Sequence, residues 1–434
     1  MDSLAAACRA SFLLLVLGAC GGGRADPRPV VTISGSAVGD EGAILRRQMD
    51  RFMELHPAVR VELRQTPDDA SQRHQLYVQW LVARAEDPDV LQLDVVWTPE
   101  FAAAGWLSPL DRFAPEAAAF FPATIEANRW DGSLYAMPWF VDVGLLYRRT
   151  DLVPEAPVSL EMLPALARAA MAGAGAPGGP PPPAAGWVWQ GARYEGLVTV
   201  YLEILTAHGG RIMDDSGRVV VDDPPGVDAL TFMRDAIRRG VSPREVLTWH
   251  EEETRFAFQN GDAVFMRNWP YAAALLADSV RSQVAGRVGV STIPAARGSG
   301  GRPASALGGA QLAINAHSDV PDLAWLLVSF LTAPEQMLER AEAVGQLPPR
   351  PALYDDARLA AALPLGVRVA REAVASAVPR PVTPLWSELS ERLQIALHSA
   401  LAGQVEPGPA LHTAAADMNA LLERSGLRYG MNAP

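Results

Sequence analysis

The order of residue patterns over residues 30–63 is the feature that most limits the fold of this chain. Residues 30–33 (VVTI) form an apolar run that is typical of a buried strand. Residues 41–55 place apolar side chains at helical spacing, and residues 59–63 alternate like a second strand. A strand, a helix and a strand in this order predict a parallel strand pair with the helix across one face. We therefore expect an α/β fold.

The same kinds of pattern continue along the chain, which has 434 residues and is too long for one ordinary core. Residues 93–97 predict a strand that contains one acid, and residues 160–171 predict a helix. The C-terminal third is rich in helical spacing. Residues 173–186 (GAGAPGGPPPPAAG) form a low-complexity loop. Its formal match to a dinucleotide fingerprint lacks the strand before it and the helix after it that such a site needs.

The N-terminus has the pattern of an export signal. Residues 10–19 are an apolar core of ten that follows Arg9. This core is too short to span a bilayer, which takes ~20 helical residues. It ends in Leu17-Gly18-Ala19-Cys20, which resembles a bacterial lipobox, and three glycines follow. We predict a signal peptide over residues 1–19, a lipidated Cys20 and a tether over residues 20–29. The alternative is an ordinary signal peptide with a chance cysteine.

Composition and motifs argue against several classes of function. The net charge of −12 disfavours a nucleic-acid partner, since phosphate binding needs clustered Lys and Arg. The sequence contains no nucleophile elbow, zinc-binding H-E-x-x-H motif or P-loop. Residues 250–253 (HEEE) suggest either a metal cluster or, with better physical support, a solvated helix start. We predict no metal, no cofactor and no catalytic residue.

Some segments instead have the composition of a carbohydrate site, which needs hydrogen-bond acceptors beside flat aromatic side chains. Asp94 lies inside an apolar strand, and Asp142 lies in the aromatic segment MPWFVDVG. Trp269 follows an amide in NWPY, and Gly308-Gly309 would let a ligand approach the backbone closely. Each feature also has a structural reading: acids that cap backbone groups, a core tryptophan, and an ordinary turn.

Together, these segments resemble family 1 extracellular solute-binding proteins, and most closely the trehalose/maltose-binding branch of ABC sugar importers. The likeness runs from about Val30 to Leu422. It rests on these segments in order: LDVVWTPEFAAAGWLSPLD (93–111), LYAMPWFVDVGLLYRRTDL (134–152), GWVWQGARYEGLV (186–198), RNWPYA (267–272), LGGAQLAI (307–314) and VPRPVTP (378–384).

The resemblance implies a type II periplasmic-binding fold with two lobes, each a sheet flanked by helices, and a hinged cleft between them. The implied N-lobe comprises residues 30–142 and 290–344. The implied C-lobe comprises residues 143–289 and 345–434, so that the chain crosses between the lobes more than once.

The resemblance also implies ligand contacts. The acids would accept hydrogen bonds from sugar hydroxyls, with Asp94 and Asp142 facing each other across the cleft. Trp269 would be the stacking platform, and the backbone N–H of Gly309 would approach the ligand. The implied ligand-binding residues are Glu41, Arg73, Asp94, Asp142, Trp269, Gly309, Arg350 and Arg380. Relatives carry Trp at Ala310 and Tyr at Phe140, which leaves the identity of the sugar open.

The function implied is capture of a trehalose- or maltose-like disaccharide by a lipid-anchored, extracytoplasmic, monomeric protein that delivers it to membrane permease subunits. Two alternatives remain. One is a secreted glycoside hydrolase that uses paired carboxylates such as Asp94 and Asp142. The other is a binding protein for a non-sugar solute, although a phosphate ligand would call for Arg and Lys rather than acids.

Overall fold

The computed structural model describes residues 26–35, 39–67, 70–173, 182–298 and 300–426. The predicted signal peptide, Cys20 and most of the low-complexity loop lie outside the described residues. Among the described helices, none combines the length and the apolar content needed to cross a bilayer.

The strands are short and are distributed along most of the described chain. They are β1 (Val30–Gly35), β2 (Arg60–Gln65), β3 (Val90–Asp94), β4 (Arg129–Trp130), β5 (Ser133–Leu134), β6 (Ala136–Val143), β7 (Leu145–Arg149), β8 (Ala185–Val188), β9 (Ala263–Asn268), β10 (Val288–Ser291), β11 (Ser305–Ile314) and β12 (Ala377–Val378).

Helices separate most of these strands and dominate the C-terminal third, as predicted. They are α1 (Gly39–Leu55), α2 (Ala70–Val82), α3 (Thr98–Ala103), α4 (Pro122–Glu126), α5 (Met162–Gly173), α6 (Glu195–Ala207), α7 (Pro224–Arg238), α8 (Glu251–Gln259), α9 (Tyr271–Ala277), α10 (Pro321–Leu331), α11 (Pro334–Val344), α12 (Ala357–Ala362), α13 (Val367–Ala375), α14 (Trp386–Leu401) and α15 (Pro407–Ser425).

The first sheet is mixed rather than purely parallel. Strands β1, β2 and β3 pair in parallel, as the β-α-β pattern predicts. Strand β11 then pairs antiparallel with β3 on one side and with β6 on the other, and β12 pairs with the start of β11. The sheet is mixed, and not parallel throughout, because β11 comes from a distant part of the chain and enters the sheet in the opposite direction.

The second sheet has the order β10-β7-β9-β8 and forms the centre of the second lobe. Only Gly144 separates β6 of the first sheet from β7 of the second. The chain returns to the first sheet between β10 and β11. The prediction that the chain passes between the two units more than once agrees with this path.

The packing of several elements bears on the predicted lobe boundaries. Strand β10 pairs with β7, so the predicted boundary at residue 290 falls inside a strand of the second sheet. Helix α12 packs on α11, and α13 contacts both β6 and β10, although residues 345–434 were assigned to the second lobe. Helices α14 and α15 pack on α6 and α7 of that lobe. The division of the chain into lobes otherwise stays a prediction.

The strand predicted over residues 93–97 lies earlier in the chain than expected. Strand β3 begins at Val90 and ends at Asp94, and residues 95–97 form a turn that leads into α3. The N–H of Val96 donates to the Asp94 carboxylate at 3.2 Å, which stabilises this turn. Asp94 therefore stands at the end of a strand rather than in its middle.

Candidate ligand-binding site

Two small residues of β11 form the floor of the candidate site. In the strand register Gly308 lies opposite Asp142 on β6, and Ala310 lies opposite Asp94 on β3. Because residues two apart in a strand share a face, the two acids flank a shallow strip of β11. Both acids belong to the first sheet, so the expectation that they face each other across the cleft is wrong. They lie on either side of one strand.

Trp269 comes to this floor from the second sheet. It follows the last residue of β9, and only Pro270 separates it from α9. The side-chain oxygen of Asn268 accepts the Trp269 backbone N–H at 2.8 Å, and Tyr147 Oη donates to the Trp269 carbonyl at 2.7 Å. A Cβ built on Gly308 would lie 3.4 Å from the Trp269 ring and 3.4 Å from the Asp142 Cβ. The tryptophan, the glycine and the acid are therefore neighbours.

Glu251 is a site residue that the sequence analysis missed. The indole N–H of Trp269 donates to the Glu251 carboxylate at 3.1 Å. The sequence favoured a helix start over a metal cluster for residues 250–253, and α8 does begin at Glu251. Glu253 behaves as that interpretation expects, since its carboxylate accepts the backbone N–H of His250 at 2.9 Å. Among the described residues no group of three or more His, Cys, Asp or Glu is arranged to hold a metal.

The electrostatic environment of Asp142 is strongly acidic. Burial raises the pKa of Asp142 from its usual 3.8 to about 7, and the nearby carboxylates of Glu41, Asp94 and Glu251 act in the same direction. The Arg267 guanidinium partly opposes this rise in the Asp142 pKa. Three acids therefore lie within electrostatic reach of Asp142. We call Glu41, Asp94, Asp142 and Glu251 the carboxylate cluster.

Arg380 contacts this cluster through Asp94, whereas the ligand contact that the resemblance implies for it stays a prediction. The Arg380 guanidinium lies 3.6 Å from the Asp94 carboxylate and 2.8 Å from that of Glu195. It also donates to the Leu307 carbonyl of β11 at 3.1 Å. Arg380 is only 5% exposed, so it supports Asp94 from beneath rather than from the solvent side.

Glu41 and Gly309 also lie at this site. Glu41, in the first turn of α1, accepts a hydrogen bond from the Gln346 side chain at 3.3 Å. Gly309 has φ +115°, and a Cβ there would lie 2.2 Å from the Phe140 carbonyl oxygen. Only glycine fits that position. Gly308 and Gly309 both lie inside β11, so the alternative of an ordinary turn is wrong.

The structure gives packing contacts for the other two arginines. Arg73 on α2 donates to the Pro67 carbonyl at 3.1 Å, and its guanidinium lies 5.4 Å from the Trp97 ring centroid. Arg350 donates to the Thr332 carbonyl at 3.2 Å and lies over the Phe120 ring at 4.2 Å. These contacts place Arg350 in the packing of the first lobe and leave its predicted ligand contact without support.

A separate cavity of about 490 Å³ lies on another side of Arg380. It is lined by residues from 202–214, 300–302 and 378–382, and Arg380 is the residue it shares with the site described above. Its lining contains no aromatic side chain and so offers no stacking surface. We therefore place the candidate ligand at the carboxylate cluster, where Glu251 accepts the indole N–H of Trp269.

Known proteins resemble this chain over most of its length. Residues 36–338 match the family described as bacterial extracellular solute-binding protein. A probable ABC transporter-binding protein of Deinococcus radiodurans is 38% identical over 364 residues, which cover 81% of this chain and 84% of the relative.

Solved structures give the same result. Maltose-bound MalE3 of T. maritima superposes with a TM-score of 0.82 at 39% identity, covering 90% of this chain and 99% of that protein. The GacH receptor of Streptomyces glaucescens superposes with a TM-score of 0.79 at 23% identity, covering 92% of this chain and 99% of the receptor. The second likeness supports the two-lobed fold alone.

Proposed function

The chain belongs to the family of bacterial extracellular solute-binding proteins, and from that premise we propose that it captures a maltose- or trehalose-like disaccharide for an ABC importer. One observation carries the choice of ligand. The Trp269 ring lies beside Asp142 and beside the strip of β11 that Asp94 borders. Glu251 accepts the N–H of this ring. A flat apolar face beside acceptors matches a sugar, which has a C–H face and a rim of hydroxyls.

Each residue has a distinct part in the proposal. Asp94, Asp142 and Glu41 accept hydrogen bonds from hydroxyls, and Trp269 stacks on a sugar ring. Glu251 fixes the orientation of the indole. Arg380 holds Asp94 in place, and the direct ligand contacts of Arg73, Arg350 and the Gly309 N–H stay predictions.

Substitutions at the site test this proposal by calorimetric titration with maltose and trehalose. A hydrogen bond to a charged group contributes about 1.5–3 kcal/mol. Asp94→Ala, and Asp142→Ala above pH 7 where that carboxyl group is ionised, should therefore each weaken binding roughly ten-fold to more than a hundred-fold. Trp269→Ala removes the stacking face and should cost at least as much affinity. Circular dichroism should show that all three variants fold.

Trp325→Ala is the matched control for Trp269. Trp325 is also partly buried and stacks on Phe113 in the first lobe, with ring centroids 4.9 Å apart. We expect this variant to lose some stability and to keep full affinity. Full affinity in Trp269→Ala would contradict the site assignment, and a wild-type protein that binds neither sugar nor any other disaccharide would contradict the proposed ligand class.

A glycoside hydrolase is the competing function, and one observation favours it. A general acid needs a raised pKa, and the pKa of Asp142 is about 7. The same rise follows from burial among like charges, which a binding site also produces. We propose that the protein has no catalytic activity, and we expect no release of nitrophenol from chromogenic α- and β-glucosides. Turnover that Asp142→Asn abolishes would establish the hydrolase instead.

A non-sugar solute is the other alternative, and the charge of the site constrains its chemistry. The carboxylate cluster places several acids around the proposed ligand, and these would repel a phosphate or carboxylate group. Thermal-shift screening against disaccharides, polyols and glycerol phosphates would separate the two classes. A ligand that binds only the folded protein raises its melting temperature.

We also propose that Cys20 carries the lipid that holds the protein outside the cytoplasmic membrane as a monomer beside its permease. This rests on the lipobox-like sequence before Cys20, because residues 1–25 lie outside the described part of the chain. Cys20→Ala should move the protein from the membrane fraction to the soluble fraction after cell lysis. Gly22→Ala is the control and should stay with the membranes, and a Cys20→Ala protein that does the same would contradict the anchor.

A further inference from the structure

A buried ion pair lies directly behind the proposed stacking platform. The side chains of Glu203 on α6 and Arg267 on β9 are both 0% exposed. Two hydrogen bonds of 2.9 and 2.5 Å run from the Arg267 guanidinium to the two Glu203 oxygens. Arg267 Nη1 also donates to the Gln190 side chain at 3.1 Å. A charge this deeply buried is costly unless it is paired, and here the pairing is bidentate.

Glu203 connects the ion pair to the segments that cross between the two sheets. Its Oε1 accepts the backbone N–H of Ala306, at the start of β11, at 3.1 Å. A Cβ built on Gly144, the residue between β6 and β7, would lie 1.7 Å from the same oxygen. The glycine therefore leaves the space that Glu203 fills, and the ion pair contacts both crossing segments.

Arg267 extends these contacts to Trp269. Its guanidinium carbon lies 3.8 Å from the centroid of the Trp269 ring, over one face. Glu251 holds the indole N–H, and a Cβ built on Gly308 would lie 3.4 and 3.5 Å from two carbons of the benzo ring. The guanidinium therefore covers one face of the ring, and Trp269 is half-buried, so that part of the ring is open to a ligand.

We propose that Arg267 is the positioning residue that presents the free face of Trp269 to the ligand, and that Glu203 fixes Arg267 relative to the crossing segments. A guanidinium is suited to this task because it is planar and can stack on the indole while it binds a carboxylate bidentately. A lysine could keep the charge next to Glu203 but could not cover the ring. The ligand part of this inference rests on the proposed function, whereas the positioning of the ring does not.

The decisive experiment compares Arg267→Lys with the wild type in two backgrounds. Near-UV circular dichroism of the ligand-free protein should change in Arg267→Lys, because the Trp269 indole loses its planar neighbour. The change should be absent when Arg267→Lys is introduced into a Trp269→Phe protein. In calorimetric titration with maltose, Arg267→Lys should weaken binding about two- to thirty-fold, the range that one cation–π contact spans.

A matched control and a second variant complete the test. Arg149→Lys alters another buried arginine of the second sheet, which pairs with Asp151 at 2.7 Å; it should change neither the Trp269-dependent signal nor the affinity. Glu203→Gln combined with Arg267→Met removes both charges, keeps an acceptor for Ala306, and should reproduce the effects of Arg267→Lys.

Two results would overturn the positioning role. One is a Trp269 signal that neither Arg267→Lys nor the double variant changes, and the other is a spectral change that persists in the Trp269→Phe background. If the wild type does not bind maltose, the maltose ligand is wrong, but the ligand-free spectra still decide whether Arg267 orients Trp269. Failure of the positioning role and failure of the proposed function are therefore distinguishable.

Discussion

At the scale of single residues, Asp142 links the charge of the site to the stability of the fold. In the unfolded chain its carboxyl group loses its proton near pH 3.8, whereas in the folded protein it keeps the proton to about pH 7. Between these values the folded state binds more protons than the unfolded state. The free energy of unfolding therefore falls as the pH rises through this interval.

Asp142→Asn removes this titration and should reveal it by difference. We expect the variant to gain stability relative to the wild type as the pH rises from 4 to 7, by on the order of 3 kcal/mol. Urea unfolding at several pH values measures this difference. Asp151→Asn is the control. Because Arg149 lowers the pKa of Asp151, this carboxyl group stays ionised between pH 5 and 7, and the difference in unfolding free energy between this variant and the wild type should stay constant there. An equally constant difference for Asp142→Asn would contradict the raised pKa.

The residues that the sequence could reveal are those whose neighbours along the chain are informative. Asp94, Asp142 and Trp269 were predicted because an acid in an apolar segment, or an aromatic beside an amide and a proline, is unusual locally. Glu251 lies among other acids at a helix start and gives no such signal. Its contact with Trp269 exists only once β9 and α8 are folded together.

At the scale of secondary-structure elements, the two adjacent glycines of β11 have different tasks. A Cβ at Gly309 would lie 2.2 Å from a backbone oxygen of β6, and the backbone there has φ +115°. A Cβ at Gly308 would meet Asp142 and Trp269 at ordinary contact distances of 3.4 Å. Gly309 is therefore needed for the pairing of β11 with β6, and Gly308 keeps space beside the site.

This difference predicts opposite phenotypes for two neighbouring substitutions. Gly309→Ala should destabilise the protein by at least about 1–3 kcal/mol, because it forces a strained backbone against β6. Gly308→Ala should leave the melting temperature within a few degrees of the wild type and should alter maltose affinity instead. Thermal unfolding and calorimetry of both variants check this, and equal melting temperatures would show that the clash at Gly309 is relieved.

Local periodicity predicted β1, α1 and β2 well, since each pattern is contained within its own segment. The position of β11 could not be read in this way. Its partners β3 and β6 lie far away in sequence, and its glycines suggested a loop as readily as a strand. The end of β3 was also misplaced, because Val95 and Val96 look like strand residues but form a turn that Asp94 stabilises.

At the scale of the whole molecule, ligand contacts from both sheets predict closure around the sugar. Asp94 and Asp142 belong to the first sheet, and Trp269 extends from the second. A ligand that contacts both stabilises the arrangement in which they are close together. Small-angle scattering should therefore show a smaller radius of gyration with saturating maltose than without it.

Trp269→Ala provides the control for this measurement. Without the contact from the second sheet, the same maltose concentration should leave the radius of gyration at its ligand-free value. A wild-type protein that binds maltose with no change in its radius of gyration would contradict closure while leaving the binding function intact.

The family resemblance in the sequence predicted two lobes correctly. The predicted boundary at residue 290 falls inside β10, because the pairing of strands, and not composition, decides where a lobe begins.

The position of β11 between β3 and β6 also has a consequence for biosynthesis. A ribosome that has made residues 1–290 has produced both neighbours of this strand but not the strand itself, so β3 and β6 still have unpaired edges. The first lobe can be completed only after most of the second lobe has been translated. Contacts between such distant segments form slowly, because a long loop must close before they can stabilise anything. The nascent polypeptide therefore lacks a finished N-terminal lobe during most of its synthesis. A secretion channel accepts an unfolded chain, and this is the interval in which the chain would still be unfolded.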